Sequence, residues 1–177
     1  MHLAYSSTRG APVTILPQNE LESAYETHHR MVYRTAYRVT GNPSDAEDVL
    51  QTVFLRLLKR ESGSPLVEQT EGYLRRASVN AAIDLLRARQ RTGQLSDEAM
   101  PSSSSCTELR EMRDSLRKAI AKLDPKQAEM IALRFFEGYS NKDIAGMLGL
   151  TQINVAVTLH RAKAKLQKEL TLLGGRS

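Results

Sequence analysis

The fold is decided most clearly by residues 140–170, which read SNKDIAGMLGLTQINVAVTLHRAKAKLQKEL. Gly149 can adopt the left-handed backbone conformation that a tight turn between helices requires, and Thr151 can cap the helix that follows. Apolar residues recur at helical spacing around this turn: Ile144, Ala145 and Leu148 before it, and Val155, Leu159, Ala162 and Leu166 after it. A short helix, a turn with Gly and a longer basic helix predict a helix-turn-helix.

The outer surface of the second helix carries side chains that can recognise DNA. Asn, Gln and Arg form paired hydrogen bonds with base edges, small apolar groups meet the thymine methyl, and Lys meets phosphate. The candidate contacts in the major groove are Gln152, Asn154, Ala156, Val157, His160, Arg161, Lys163 and Lys165. Two amphipathic helices with Gly between them also occur in plain helical bundles, so the pattern alone leaves both interpretations open.

Three helical blocks precede the centre of the chain. The first, at about 20–39, ends at the breaker Thr40-Gly41-Asn42-Pro43. The second is predicted to begin at Ser44, with Glu47 completing a capping box, and Val49, Val53 and Leu57 lie on its apolar stripe. The third, at about 71–91, places four polar side chains on one face: Asn80, Asp84, Arg87 and Arg91.

The rest of the chain completes an all-α fold of two small helical domains. A serine run at 102–105 marks residues 92–107 as a flexible linker. Beyond it we predict four helices, the second of which starts at Asp124-Pro125 with Gln127 at the capping-box position. The predicted organisation is a mobile tail at 1–18, a three- to four-helix bundle at 19–91, the linker, and a four-helix domain at 108–173.

Composition narrows the function. The formal charge is +5, and residues 110–177 contain 13 Lys/Arg against 7 Asp/Glu, which indicates an anionic partner, either nucleic acid or lipid. The single cysteine, Cys106, precludes an intramolecular disulfide and fits a reducing compartment. We find no signal peptide, membrane span, metal-ligand set, catalytic constellation or phosphate-binding loop in the sequence. We therefore expect a soluble cytoplasmic protein without cofactor, metal or enzymatic activity.

Three segments resemble the sigma-70 family of bacterial RNA polymerase sigma factors. Residues 45–54, Asp-Ala-Glu-Asp-Val-Leu-Gln-Thr-Val-Phe, resemble the core motif of conserved region 2, and residues 73–87 resemble the segment that follows it. Residues 123–170 resemble region 4. The order, spacing and length are similar to those of the extracytoplasmic-function subfamily, which keeps only regions 2 and 4.

The resemblance implies a role for each segment. The helix with the acidic motif would dock on the clamp helices of the largest polymerase subunit, through Asp45, Asp48, Val49, Gln51, Thr52, Phe54, Leu55 and Leu58. Region 4 would meet the flap of the second-largest subunit and read the −35 element. The 73–91 helix would recognise and melt the −10 element, through Arg75, Arg76, Asn80, Arg87 and Arg91. Such factors are commonly held inactive by an anti-sigma protein.

Two departures from the family pattern bear on DNA binding. Many members have Trp where this chain has Gly72-Tyr73, and many read Gly-Thr-Val-Lys-Ser-Arg where residues 153–158 read Ile-Asn-Val-Ala-Val-Thr. The second departure removes two basic positions, and each lost phosphate contact flattens the salt dependence of binding by about one unit of slope. We expect either weaker −35 affinity or a different −35 sequence.

Two other classes of function compete with a transcription initiation subunit. A helix-turn-helix regulator would bind duplex DNA alone and use residues 19–91 for sensing or dimerisation. A helical interaction protein would have no DNA role. The acidic motif and the Asn80, Asp84 and Arg87 face favour the initiation subunit, because a plain regulator needs neither.

Overall fold

The computed structural model describes residues 18–59, 70–93 and 104–174, and these ranges form seven helices without a strand. They are α1 (Gln18–Thr40), α2 (Pro43–Leu58), α3 (Thr70–Thr92), α4 (Ser104–Ala121), α5 (Pro125–Phe135), α6 (Asn141–Leu148) and α7 (Gln152–Gly174). The predicted all-α class is confirmed. Apart from Gln18, the predicted tail lies outside the described residues, as do residues 94–103 of the predicted linker, and α4 begins inside the linker's last part.

Helices α1, α2 and α3 pack against one another as an N-terminal bundle. Its core is mostly aliphatic, as the scarcity of aromatic residues requires, and contains the fully buried side chains of Val32, Val53, Leu57 and Leu74. Burying one such side chain contributes roughly 1.5–3 kcal/mol, so the apolar stripes read from the sequence are what hold these helices together.

Helices α4 to α7 form a C-terminal domain in which α7 contacts each of the other three. The inward-facing residues predicted around the turn are confirmed at six of seven positions, which are buried: Ile144, Ala145, Val155, Leu159, Ala162 and Leu166. Leu148 is half-buried. This core fixes the orientation of α7, whose opposite face is left to solvent.

The turn between α6 and α7 has the predicted geometry. Gly149 has φ 64° and ψ 37°, the left-handed conformation, and its N–H donates to a carbonyl of the last turn of α6. Ser140 and Asp143 form a reciprocal capping box at the start of α6. The Thr151 hydroxyl accepts from the backbone N–H of Asn154 at 3.2 Å, which confirms Thr151 as the cap of α7.

One predicted cap is wrong, and a second lacks its expected hydrogen bond. Helix α2 is capped by Asn42, whose Oδ1 accepts from the backbone N–H of Asp45 at 3.1 Å, and not by the Ser44–Glu47 box. Pro43 explains the shift, because Pro favours the first helical position and biases the residue before it towards the extended backbone that a cap needs.

At α5 the sequence correctly places the helix start but not its capping hydrogen bonds. The Asp124 side chain makes no cap hydrogen bond and instead accepts from Lys165 Nζ at 2.8 Å. The buried Oε1 of Gln127 has no hydrogen-bond partner among the described residues. A charged partner on α7 therefore replaces the local capping interaction that the sequence pattern predicts.

The two domains contact each other through α3, which packs against both α4 and α5. The side chain of Arg117 on α4 also lies against Gly41 in the α1–α2 turn, where any side chain would overlap its guanidinium group. Within the described ranges, no helix is both long and apolar enough to span a membrane.

Candidate functional site

The α2 helix divides its predicted contact residues between its surface and the core. Asp48, Gln51 and Leu55 are exposed, Leu55 with 54% of its surface accessible. Thr52 and Leu58 are half-buried. The structure places Asp45, Val49 and Phe54 in the core. Without rearrangement of the bundle, a protein partner could therefore reach the exposed group fully, the half-buried group in part and the buried group not at all.

The buried members of this motif have structural partners. Asp45 is 2% exposed and forms an ion pair with Arg89, which ties the start of α2 to the end of α3. Phe54 lies beneath Tyr25, with ring centroids 5.0 Å apart in an edge-to-face arrangement, and Tyr25 stacks on His29. Their role in this conformation is to hold α1, α2 and α3 in register.

The polar face of α3 lies against the C-terminal domain. Arg76 Nε donates to Glu129 Oε1 at 3.0 Å, and Asn80 Nδ2 donates to the same oxygen at 3.0 Å. Arg75 Nη1 donates to Glu137 Oε2 at 2.6 Å. Four of the five residues predicted to contact the −10 element thus face the other domain. Arg75, Arg76 and Asn80 contact its carboxylates, and Arg87 contacts its backbone carbonyls. The fifth, Arg91, is exposed.

Glu137 is the centre of this junction. Its carboxylate accepts from the Thr35 hydroxyl at 3.0 Å and pairs with Arg38 at 3.1 Å and with Arg75. The side chain has no accessible surface. A buried carboxylate requires such partners, because an unpaired one would lose its hydration without compensation.

Backbone carbonyls at the ends of three helices complete the junction. Arg76 Nη1 donates to the Met147 carbonyl in the last turn of α6 at 2.8 Å. Arg87 donates to the Ala121 carbonyl at 3.2 Å and the Leu123 carbonyl at 2.8 Å, at the end of α4. Arg38 reaches the Phe136 carbonyl just after α5 at 3.5 Å. Each of these helix C-termini carries partial negative charge, which favours a cation there.

Electrostatics at the junction follow from these contacts. Burial acts to lower the pKa of Arg75, but hydrogen bonds to Glu71 and Glu137 outweigh it and raise the pKa. Burial has the opposite effect on Tyr139, whose pKa it raises because the phenolate is the charged form. Arg87 lies 3.7 Å from Asp84 on its own helix, so this acid pairs with an arginine of the same polar face.

The outer face of α7 is open to solvent. All eight residues predicted to read the −35 element are exposed: Gln152, Asn154, Ala156, Val157, His160, Arg161, Lys163 and Lys165. Ile153, which the sequence analysis did not select as a contact, is 75% exposed beside them. This helix therefore presents a continuous surface of polar, small apolar and basic groups.

Two lysines on this face have partners in the C-terminal domain. Lys163 Nζ lies 4.9 Å from the ring centroid of Phe135. The hydrogen bond and charge of Lys165 lower the pKa of Asp124. Both partners are exposed, so either lysine can turn towards another anion at small cost.

Glu129 and Glu137 are the site residues that sequence reasoning missed. Both are acids in a segment with a strong excess of basic residues, and Glu129 falls on the buried side of α5. An acid at a position that the apolar period assigns to the core is the signal that could have found it. The described residues contain no group of three potential metal ligands.

Comparison with known proteins agrees with this architecture. The family models described as "Sigma-70 region 2" and "Sigma-70, region 4" match residues 24–92 and 113–166. An RNA polymerase sigma-E factor of Streptomyces avermitilis is 34% identical over 153 residues, 85% of each chain. The ECF RNA polymerase sigma factor SigL of Mycobacterium tuberculosis is 28% identical over 160 residues, 87% of this chain and 90% of that protein.

A solved structure shares the fold. CnrH in complex with the cytosolic domain of CnrY superposes with a TM-score of 0.54 at 24% identity, over 92% of each chain. The two family matches fall on the N-terminal bundle and on the helix-turn-helix domain, in the order that the sequence predicts. The chain therefore belongs to the sigma-70 family of RNA polymerase sigma factors, in its extracytoplasmic-function subfamily.

Proposed function

We propose that this sigma factor docks on core RNA polymerase through the exposed face of α2 and recognises promoters through α3 at the −10 element and α7 at the −35 element. The observation that carries the proposal is the exposed face of α7. All eight residues predicted to contact the −35 element are exposed there, on the helix that follows the left-handed turn at Gly149. A helix of this kind fits the width of the major groove of B-DNA.

The polymerase contact centres on Asp48, Gln51 and Leu55. They follow one another at helical spacing on the solvent side of α2 and combine a carboxylate, an amide and an exposed apolar group. An exposed Leu flanked by polar groups is a composition typical of an interface that forms with a partner. We assign this face to the clamp helices of the largest subunit and the C-terminal domain to the flap of the second-largest.

The −35 contact combines polar and apolar recognition. Gln152 and Asn154 lie in the first turn of α7 and can form paired hydrogen bonds with base edges, while Ile153 and Val157 can meet thymine methyl groups. Arg161, Lys163 and Lys165 follow as phosphate contacts. Because residues 153–158 lack the two basic positions common in the family, the preferred −35 sequence differs or the affinity is lower.

The −10 contact requires the arginines of α3 to reach single-stranded DNA. A basic track that follows the phosphates suits Arg75, Arg76, Arg87 and Arg91, and Asn80 can bond to a base edge. In the described conformation the first three of these arginines contact the C-terminal domain, so this role requires the domains to separate.

Partners and location follow from the same assignment. We propose a cytoplasmic, non-catalytic initiation factor that an anti-sigma protein controls. CnrH, which shares the fold, was solved as a complex with the cytosolic domain of CnrY. A regulator that binds duplex DNA alone is the competing function, favoured by the exposure of the α7 face.

Gel shifts on promoter DNA, with and without core polymerase, test the proposal. We expect binding and run-off transcription that depend on core polymerase. D48N combined with L55A should weaken assembly with core polymerase, whereas the matched acid substitution E108Q on the exposed side of α4 should not. Binding to duplex DNA that is unchanged by core polymerase would instead support the regulator, and no binding at all would refute both.

A further inference from the structure

The arginine face of α3 is covered by an unusual part of the C-terminal domain. We call this part the acidic cap: the carboxylates of Glu129 and Glu137 together with the carbonyls of Ala121, Leu123 and Met147. It contacts Arg75, Arg76, Asn80 and Arg87. The domain that supplies it has a large excess of positive charge, so the clustering of oxygens at this one place is not a consequence of composition.

The acidic cap offers these arginines the chemistry of a nucleic-acid backbone. Phosphate and carboxylate oxygens both accept charge-assisted hydrogen bonds from guanidinium groups at similar lengths. The carbonyls at the ends of α4 and α6 add partial negative charge from the helix dipoles. Acceptor oxygens of two carboxylates and three carbonyls therefore lie along the α3 face that is proposed to contact the −10 strand.

Both carboxylates are directed at the other domain. The hydrogen bonds and ion pairs of Glu129 go to Arg76 and Asn80, and those of Glu137 go to Thr35, Arg38 and Arg75. All five partners belong to the N-terminal bundle. The acids are buried by the junction, so their contacts stabilise the closed arrangement of the two domains and not the helix-turn-helix.

The junction is polar enough to open. It contains hydrogen bonds and ion pairs from α1 and α3 to the C-terminal domain, which water can replace when the domains separate. A cavity of about 260 Å³ lies beside them between α3 and α5, lined in part by Asp84 and Lys126. Interfaces between domains of this character resemble transient interfaces between proteins.

We infer that the acidic cap substitutes for promoter DNA in the free chain, so that the C-terminal domain and the −10 strand compete for the same arginines. The closed arrangement is then self-inhibited at the −10 face. This inference rests on the proposed −10 role of α3 and adds a regulatory contact that the chain supplies to itself.

Arg38 gives the sharpest test, because it lies on α1, pairs with Glu137, and is not among the predicted −10 contacts. In the free full-length chain, R38Q removes a positive charge and should nevertheless increase the affinity for a short fluorescent single-stranded DNA of random sequence. We expect roughly fivefold tighter binding, because the apparent dissociation constant falls as the open fraction rises. R30Q, which removes an exposed arginine from the same helix, should bind equally or more weakly.

The acid side is tested with E129Q/E137Q against the charge-matched control E108Q/E111Q on the exposed face of α4. Small-angle X-ray scattering should give a larger radius of gyration for E129Q/E137Q and R38Q than for wild type and both controls. Circular dichroism should show unchanged helix content in R38Q, whose side chain is 44% exposed.

Three results separate the inference from the function on which it rests. If R38Q and R30Q bind DNA alike and scatter alike, the acidic cap does not inhibit and the inference is overturned. An expanded wild-type chain in solution overturns it as well. If wild type with core polymerase gives no run-off transcript, the proposed function fails, whatever the variants do in the free chain.

Discussion

Replacing Asp45 by Asn separates folding from polymerase docking in the acidic motif. Asp45 and Asp48 are three residues apart and look alike in the sequence, but the first is 2% exposed and paired with Arg89, while the second faces solvent. D45N keeps the size of the side chain and removes its charge, which leaves the Arg89 guanidinium without its buried counter-ion.

The magnitude follows from burial. Removing one partner of a fully buried ion pair costs about 3–5 kcal/mol. The Arg89 side chain is 28% exposed and can be partly rehydrated, so we expect about 2–3 kcal/mol. For a chain of this size each kcal/mol lowers Tm by roughly 2–4 °C, which gives a decrease of about 5–10 °C for D45N. D48N should lie within about 0.5 kcal/mol of wild type, as exposed substitutions usually do.

Calorimetry of the free chain checks the expected stabilities, and a competition assay for core polymerase checks the expected docking. D48N should melt like wild type and bind core polymerase more weakly. D45N should melt early and, well below its Tm, bind core polymerase almost normally. The reasoning is refuted if D45N melts like wild type yet loses polymerase binding, because Asp45 would then be a direct contact.

Three further predictions concern the C-terminal domain. G149A should destabilise it by about 1–2 kcal/mol, visible in thermal melts, because Ala is strained at positive φ although the space around Gly149 is open. K165M should raise the Asp124 pKa back to its ordinary value, as measured by NMR titration. In wild type the lowered pKa means that this ion pair stabilises the fold at neutral pH, and the stabilisation is lost as the pH falls through that pKa. A156K, at an exposed position of α7, should steepen the salt dependence of −35 duplex binding by about 0.9 in slope, with unchanged slope contradicting a phosphate contact there.

The sequence predicts those parts of the fold that depend on residues close together in the chain. The turn at Gly149, the Thr151 cap and the buried stripe of α7 all lie within one turn of the residues that determine them. The cap of α2 differs from the prediction because two local signals compete, and Pro43 decides between them by starting the helix two residues before position 45, where a Ser44 cap would start it.

The sequence could not predict the junction between the domains. Arg76 and Glu129 are 53 positions apart, and Arg38 and Glu137 are 99 apart. No periodicity links residues on helices of different domains. Basic residues on α3 therefore predict an anionic partner, while their spacing leaves open whether the partner is DNA or a carboxylate of the same chain.

The asymmetry between the recognition surfaces limits how the chain can be activated. The α2 face and the α7 face are exposed in the closed arrangement, whereas Arg75, Arg76 and Arg87 of α3 contact the C-terminal domain. A ligand shifts a conformational equilibrium only by its difference in affinity for the two states. The proposed contact of core polymerase with Asp48, Gln51 and Leu55 is equally available in both states, so docking through α2 alone would leave the proposed −10 face covered. Opening must come from contacts that only separated domains can make, namely polymerase holding α2 and the C-terminal domain apart, or a DNA strand displacing Glu129 and Glu137 from α3.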